Sequence, residues 1–332
     1  MHRIDLLLFS LVATFVTSLL FAAKANTLGF IDLPEARKVH INPTPRTGGI
    51  SMVVGGGAVF LISVYLGLIP FPLLPWQTWS AGIGFVSLGI LDDRFSFAPN
   101  RKFFIFLLLS ILAAWPWVQV LRIEIFAPWI PKIWLRSAPM QLIACLVLTF
   151  WFMAVPNSVN IEDAINGYMG GFTLLIMIGL YSNGVDTQIA IGALLGFLLL
   201  NWPNARHFMG DAGSFGCGFF IAESIVRGGG LRNPLMALSF TAPISLDVAI
   251  GLIRRKRLGM SSFAADRATL PHHILQLTNG NGRLAALILW TNAAGFIFLV
   301  GHLWVILALL VGNISVLVFL NRKALFGLTT PI

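Results

Sequence analysis

Eleven apolar runs separated by short polar segments constrain this chain more than any other feature. A membrane span needs about 20 mostly apolar residues, and shorter ones are tolerated inside a bundle. The runs lie near 4–23, 48–69, 77–91, 103–121, 138–156, 168–182, 188–203, 213–226, 234–253, 284–301 and 303–320. Inside a bilayer every backbone N–H and C=O must find a partner within the protein, so such runs read as helices. The expectation is an all-α, polytopic membrane protein with 10–11 spans. The lower count applies if 77–91 is too short, or if 284–320, broken only around Gly301 and His302, is one unit. The first run is longer than the apolar core of a signal peptide and reads as the first span. With no linker and no internal repeat, residues 1–332 form one domain. Composition agrees: 11% of residues are charged, against about 25% in soluble chains. A soluble enzyme, a disordered chain and a fibrous one are excluded.

Charge sets the orientation. With the N-terminus outside, 16 of the 22 Lys and Arg residues fall on the inner side. Only Arg3, Arg122, Lys132, Arg136, Arg227 and Arg232 fall outside. Positive residues favour the cytoplasmic face, so the loops with most chemistry face the cytoplasm. The net charge of +9 then reflects anionic lipid rather than nucleic acid. Segment 122–137, with Trp129 and Trp134, reads as interfacial on the outer face. The run Arg254–Arg257 reads as a lipid-facing stop after a span. Glu223 and Asp247 are the only acids well inside proposed spans, with no evident partners.

Five inner loops carry the polar residues. The first runs from Asp32 to Gly49 and holds Arg37, Lys38, His40, Arg46 and a closing Gly pair. Proline turns can fix such cations, and glycine lets backbone N–H groups approach a phosphate. The second begins Asp92-Asp93-Arg94; adjacent carboxylates repel unless a cation relieves them. The third carries Asn157, Asn160, Asp163 and Asn166 at three-residue spacing, which a continuous helix would place near one face. The fourth contains Asn201 and Gly210-Asp211, the latter at a helix start. The fifth contains Asp266, Arg267, His272 and His273. Hard oxygen donors of this kind favour Mg²⁺ over zinc. Beside Arg, Lys and His they suit phosphoryl transfer.

Four of these stretches resemble, in order, the signature of the polyprenyl-phosphate N-acetylhexosamine-1-phosphate transferases, glycosyltransferase family 4. They are Arg37 to Gly49, Asp92-Asp93, Asn157 to Gly167, and Phe208-Met-Gly-Asp-Ala-Gly-Ser214. The family includes enzymes that initiate O-antigen and teichoic-acid linkage synthesis, and the phospho-MurNAc-pentapeptide translocase of peptidoglycan synthesis. Pro43-Thr-Pro-Arg-Thr-Gly-Gly49 looks like the branch that uses simple UDP-N-acetylaminosugars. Two positions depart from the pattern. Asn166 stands where a second Asp is common, and Leu270 where the late motif usually carries its first His.

The resemblance implies a reaction and its residues. The chain would transfer an N-acetylaminosugar-1-phosphate from a UDP-sugar to undecaprenyl phosphate, releasing UMP. Asp92, Asp93 and Asp163 would be catalytic. Asp211, with Asp93, would hold Mg²⁺, for which Mn²⁺ is the substitute. Lys38, His40, Arg46, Asn160, Asn201, His272 and His273 would contact the nucleotide sugar or the lipid phosphate. Membrane lipids and a second copy of the chain complete the implied partners. The translocase-type peptidoglycan enzyme is the nearest alternative. A transporter is the alternative of another class, but the acids cluster on one face apart from Glu223 and Asp247, and matching broken helices are missing.

Overall fold

The computed structural model describes residues 3–34, 42–72, 74–124, 137–230, 233–261, 268–299 and 301–322. All eleven apolar runs are helices. They are α1 (Arg3–Leu28), α2 (Gly48–Tyr65), α3 (Trp76–Phe95), α4 (Pro99–Glu124), α5 (Ala138–Glu162), α6 (Tyr168–Ser182), α7 (Gln188–Asn201), α8 (Gly210–Ile225), α9 (Pro234–Arg257), α11 (Gly282–Phe298) and α12 (Leu303–Leu320). A shorter helix, α10 (Leu270–Leu277), precedes α11. Among the described residues six helices are long and apolar enough to cross a membrane alone, and α6, α7 and α11 are shorter apolar helices. The sole sheet among those residues is a two-residue ladder, with β1 (Ile31–Asp32) antiparallel to β2 (Thr44–Pro45).

The pattern of burial is that of a multi-pass membrane protein. On α1, Leu8, Phe9, Val12, Val16, Leu19 and Leu20 are exposed, while Ser10, Thr14 and Ser18 are fully buried. Lipid removes the penalty for exposed apolar side chains, so small residues go inward, where they let backbones approach. Ser10 Oγ donates to the Ile189 carbonyl on α7 at 2.6 Å. A Cβ on Gly192 or Gly196 would lie 2.2 Å or 2.4 Å from the carbonyl oxygens of Leu7 or Leu11. The α1–α7 contact therefore depends on those glycines.

An aromatic cluster joins α3, α4 and α8 below the polar end of the bundle. Phe85 packs against Phe106 at 4.9 Å and Phe219 at 5.4 Å, and Phe106 packs against Phe215 at 5.0 Å. Edge-on and offset ring pairs of this kind add to the burial of the rings themselves. They fix the helices whose polar ends carry Asp92, Asp93 and Asp211.

Three expectations need correction. Arg254 and Arg255 do not face lipid: they are 3% and 6% exposed. Arg254 donates to the Ala268 carbonyl and to the Asn321 side chain, so the last turn of α9 clamps the fifth loop and the end of α12. Neither Glu223 nor Asp247 is alone. Glu223 accepts from Arg227 at 3.0 Å, and Asp247 meets the Glu162 carboxyl and the Leu270 N–H. Finally, the series Asn157 to Asn166 does not share a helix face. The helix ends at Glu162 with Asp163 as its cap, and Asn157 is exposed away from its companions.

Candidate active site

Glycine positions the site. Segment 208–209 lies alongside the end of the first loop: Phe208 N–H donates to the Pro45 carbonyl at 2.7 Å, Gly48 N–H to Phe208 at 2.9 Å, and Gly49 N–H to Met209 at 2.8 Å. A Cβ on Gly49 would stand 2.0 Å from the Gly213 nitrogen. On the other side, a Cβ on Gly89 of α3 would stand 2.4 Å from the Ala212 Cα. The first turn of α8 is thus wedged between α2 and α3. Gly210 begins it with φ +70°, a left-handed conformation that suits glycine. Asp92 and Asp93 follow Gly89 by one turn, so the wedge delivers them to Asp211.

The carboxylates interlock there. Asp93 Oδ2 accepts from the Ala212 N–H at 3.1 Å. Its Oδ1 is buried without a hydrogen-bond partner, 3.8 Å from Arg46 Nη1. Arg46 is held from the other side by Asp32 of β1 at 2.5 Å. Asp92 accepts from the Phe97 N–H at 2.8 Å and from Lys102 Nζ at 2.6 Å. Lys102 also lies 3.8 Å from Asp211, whose Oδ1 accepts from Asn160 Nδ2 at 2.8 Å. Asp92 and Asp211 also lie close enough to act on each other.

Of the two, Asp211 is the carboxyl whose surroundings favour its neutral form. Burial, the Asp92 bond and the Asp93 charge push Asp211 well above the usual carboxylate range. Burial also works to raise Asp92, but the bonds from Asp211 and Lys102, and the charge of Lys102, outweigh it and hold Asp92 below its ordinary value. Burial lifts Asp93 to about 6 despite the Asp211 and Ala212 N–H donors and Arg46, with Asp92 adding repulsion. Asp163 rises to about 7 through burial and the Asp93 charge. Such displaced carboxylates in a cleft mark a place built to receive positive charge.

Asp93, Asp163 and Asp211 open into a cavity of about 810 Å³, with Asp92 behind its wall; the size suits a nucleotide-sized ligand. Asp32, Arg46, Asp93, Asn160, Asp163, Asn166, Asn201, Asp211, His272 and Arg283 are among its lining. Asn201 acts as a strut as well as wall. Its Oδ1 accepts from the Gly167 N–H at 2.7 Å and its Nδ2 donates to the His207 carbonyl at 2.9 Å, tying the third loop to the fourth. His207 itself is buried against Phe197, and desolvation lowers it to about 4, so it is neutral near pH 7.

The structure therefore gathers Arg46, Asp92, Asp93, Asn160, Asp163, Asn201, Asp211 and His272 around one end of the bundle. His273 is not among the cavity lining; it faces Asp247. Lys38 and His40 lie outside the described residues, as does most of the outer segment (125–136). Sequence reasoning missed Lys102, which reads as the flank of a span, and Asp32, whose signal was its position opposite Thr44 in a ladder too short to foresee. Among the described residues no three His, Cys, Asp or Glu side chains converge on one metal position. The donors still fit Mg²⁺, which usually takes one or two carboxylates, substrate phosphates and water. Asp93 offers a buried oxygen without a hydrogen bond, and burial beside Asp92 and Asp93 raises Asp211, a cost that a cation would relieve.

Known proteins resemble this chain along most of its length. The profile of glycosyl transferase family 4 matches residues 76–229, which include Asp92, Asp93, Asn160, Asp163, Asn201 and Asp211. Decaprenyl-phosphate N-acetylglucosaminephosphotransferase of Mycobacterium tuberculosis is 28% identical over 320 residues, covering 82% of this chain and 76% of that one. Undecaprenyl-phosphate alpha-N-acetylglucosaminyl 1-phosphate transferase of Yersinia pestis is 29% identical over 326 residues, covering 89% and 85%. The protein of the same name from Escherichia coli is 29% identical over 313 residues, covering 87% and 81%.

Proposed function

Starting from the chain's membership of glycosyl transferase family 4, we propose that it transfers an N-acetylaminosugar-1-phosphate from a UDP-sugar to undecaprenyl phosphate and releases UMP. The observation that carries this reading is the meeting of Asp92, Asp93 and Asp211 with Arg46 and Lys102 beside a nucleotide-sized cavity whose wall includes Arg46, Asp93 and Asp211. In this reading the product is the lipid-linked first sugar of a cell-surface polysaccharide, and the site faces the cytoplasm of the inner membrane. The relatives named for N-acetylglucosamine make UDP-N-acetylglucosamine the first donor to try.

An oxygen of the lipid phosphate attacks the sugar-bearing phosphorus of the donor. The new P–O bond forms as the bond to the UMP oxygen breaks, so one pyrophosphate replaces another. A monoester phosphate has its second pKa near 6, so the nucleophile is already mostly dianionic and needs no strong base. Asp92 is suited to orienting rather than to taking a proton. Its oxygens are engaged by Phe97 and Lys102, and its pKa is held down. It aims Lys102, whose ammonium draws the attacking phosphate toward the carboxylate cluster. Arg46, fixed by Asp32, neutralises charge on the transferred group. Asp163, Asn166 and Asn201 shape the nucleotide pocket, and His272 contacts the diphosphate from the α10 side. Asp211 and Asp93 would hold Mg²⁺, which supplies charge neutralisation at the diphosphate. Most of the protein's contribution is positioning.

The test is UMP release by purified protein given undecaprenyl phosphate, Mg²⁺ and a panel of UDP-N-acetylaminosugars. Release that requires both lipid and Mg²⁺ and selects one donor supports the reading and names the sugar. Folded protein that releases UMP with no donor refutes it.

A further inference from the structure

A second pair of carboxyl groups lies behind the site. Glu162, on the last turn of α5, is 0% exposed, and Asp247, in the middle of α9, is 1% exposed. Neither Glu162 oxygen has a donor among the described residues, yet the Glu162 and Asp247 carboxyls are within hydrogen-bond reach of each other. Two carboxyl groups bond to each other only through a proton, so a link between these two requires one of them to be neutral. Asp247 Oδ2 accepts from the Leu270 N–H at 2.5 Å, the first residue of α10. Among the described residues, Arg254, His273 and Tyr168 are the other charged or titratable groups that act on Asp247.

The two ends of this chain of bonds reach the cavity. Glu162 sits between Asn160 and Asp163, which line it. Leu270 begins the helix that carries His272 and Leu275, also lining residues. Thr269 Oγ1 lies 2.8 Å from His272 Nδ1, so the imidazole is oriented from the same turn that Asp247 holds. We infer that Glu162 and Asp247 are positioning residues for the nucleotide-sugar site. Their shared bond ties the last turn of α5 to the start of α10 and so sets His272 against the donor. The inference rests on the reading of the cavity given above.

Glutamine mimics a protonated glutamate, because its amide N–H can donate to Asp247 in the same place. Glu162→Gln should therefore preserve the link, and Glu162→Ala should remove it. Hydrogen exchange over residues 268–277 reads the seating directly, without turnover. Exchange should quicken in Glu162→Ala and match the wild type in Glu162→Gln. Kinetically, Glu162→Ala should raise KM for the UDP-sugar about tenfold, the size of one lost charge-assisted contact, with kcat little changed. In a His272→Ala background it should add almost nothing. Unchanged exchange in Glu162→Ala would overturn the inference. So would a fall in kcat and folded fraction without a change in KM, or full additivity with His272→Ala. A wild type that releases no UMP would refute the functional reading instead, and the exchange measurement would still decide the seating.

Discussion

Gly89→Ala adds one methyl group where α3 crosses the first turn of α8. The new Cβ would lie 2.4 Å from the Ala212 Cα, the Ala212 nitrogen and the Asp211 carbonyl oxygen. All three are backbone atoms, so no side chain can swing aside. Carbon atoms pack at about 3.5–4.0 Å, which means the helices must part by about 1 Å. The Asp93–Ala212 bond, now 3.1 Å, then exceeds hydrogen-bond range. Overpacking costs about 1–3 kcal/mol, and the better helix propensity of alanine returns up to about 1 kcal/mol. The net loss of about 0–3 kcal/mol leaves a folded protein. Catalysis is less forgiving, because a 1 Å misplacement can cost about 100-fold. UMP release should therefore fall by roughly two orders of magnitude while the thermal midpoint in detergent moves by a few degrees. Gly57→Ala, where a Cβ meets nothing within 4 Å, is the control and should keep full activity. Activity of Gly89→Ala close to wild type, in protein of normal stability, would refute the claim that this glycine contact aligns the carboxylates.

Other perturbations test other parts of the site. Asp93 and Asp163 hold their protons up to about 6 and about 7, so the folded state binds protons more tightly than the unfolded one. Without metal, stability should accordingly be greatest below the ordinary carboxylate pKa and decline as pH rises through those values; thermal scans from pH 5 to 8 check this, and added Mg²⁺ should reverse the decline. The same protons compete with the cation, so calorimetric Mg²⁺ affinity should weaken as pH falls from 8 to 6. Asn201→Ala strands the Gly167 N–H and the His207 carbonyl. At about 1–3 kcal/mol for each buried group, the chemical-denaturation midpoint should drop clearly. Lys102→Met removes the cation between Asp92 and Asp211. KM for the lipid phosphate should rise more than KM for the UDP-sugar, and the opposite order would place Lys102 on the donor side.

The sequence is a good guide to the fold and a partial guide to the site. Spans were legible because lipid demands long apolar helices, and each of the eleven runs became one. Asp92, Asp93, Asn160, Asp163 and Asp211 were legible because polar residues at the ends of such helices stand out. Three-dimensional pairing was not. Lys102 looks like any cation flanking a span, and only the turn through Ser96 and Phe97 folds it back to Asp92. Glu162 reads as part of a polar loop, whereas the helix carries it inward to Asp247. The regular spacing from Asn157 to Asn166 suggested one helix face. The chain breaks it at Asp163 and turns through Gly167 at φ +79°, and it is this break that brings Asp163 and Asn166 into the cavity with Asn160. Arg254 and Arg255 followed the rule for cations after a span but are buried, Arg254 against Ala268 and Asn321.

The central claim is that this site joins a sugar-1-phosphate to a lipid phosphate. Its most direct test follows both products together, UMP in solution and labelled sugar in the lipid phase, for the wild type and Asp211→Asn with UDP-N-acetylglucosamine, undecaprenyl phosphate and Mg²⁺. Equal amounts of UMP and lipid-linked sugar phosphate from the wild type, and neither from a folded Asp211→Asn, are the predicted result. UMP without lipid-linked product, or near-normal transfer by Asp211→Asn, would contradict it.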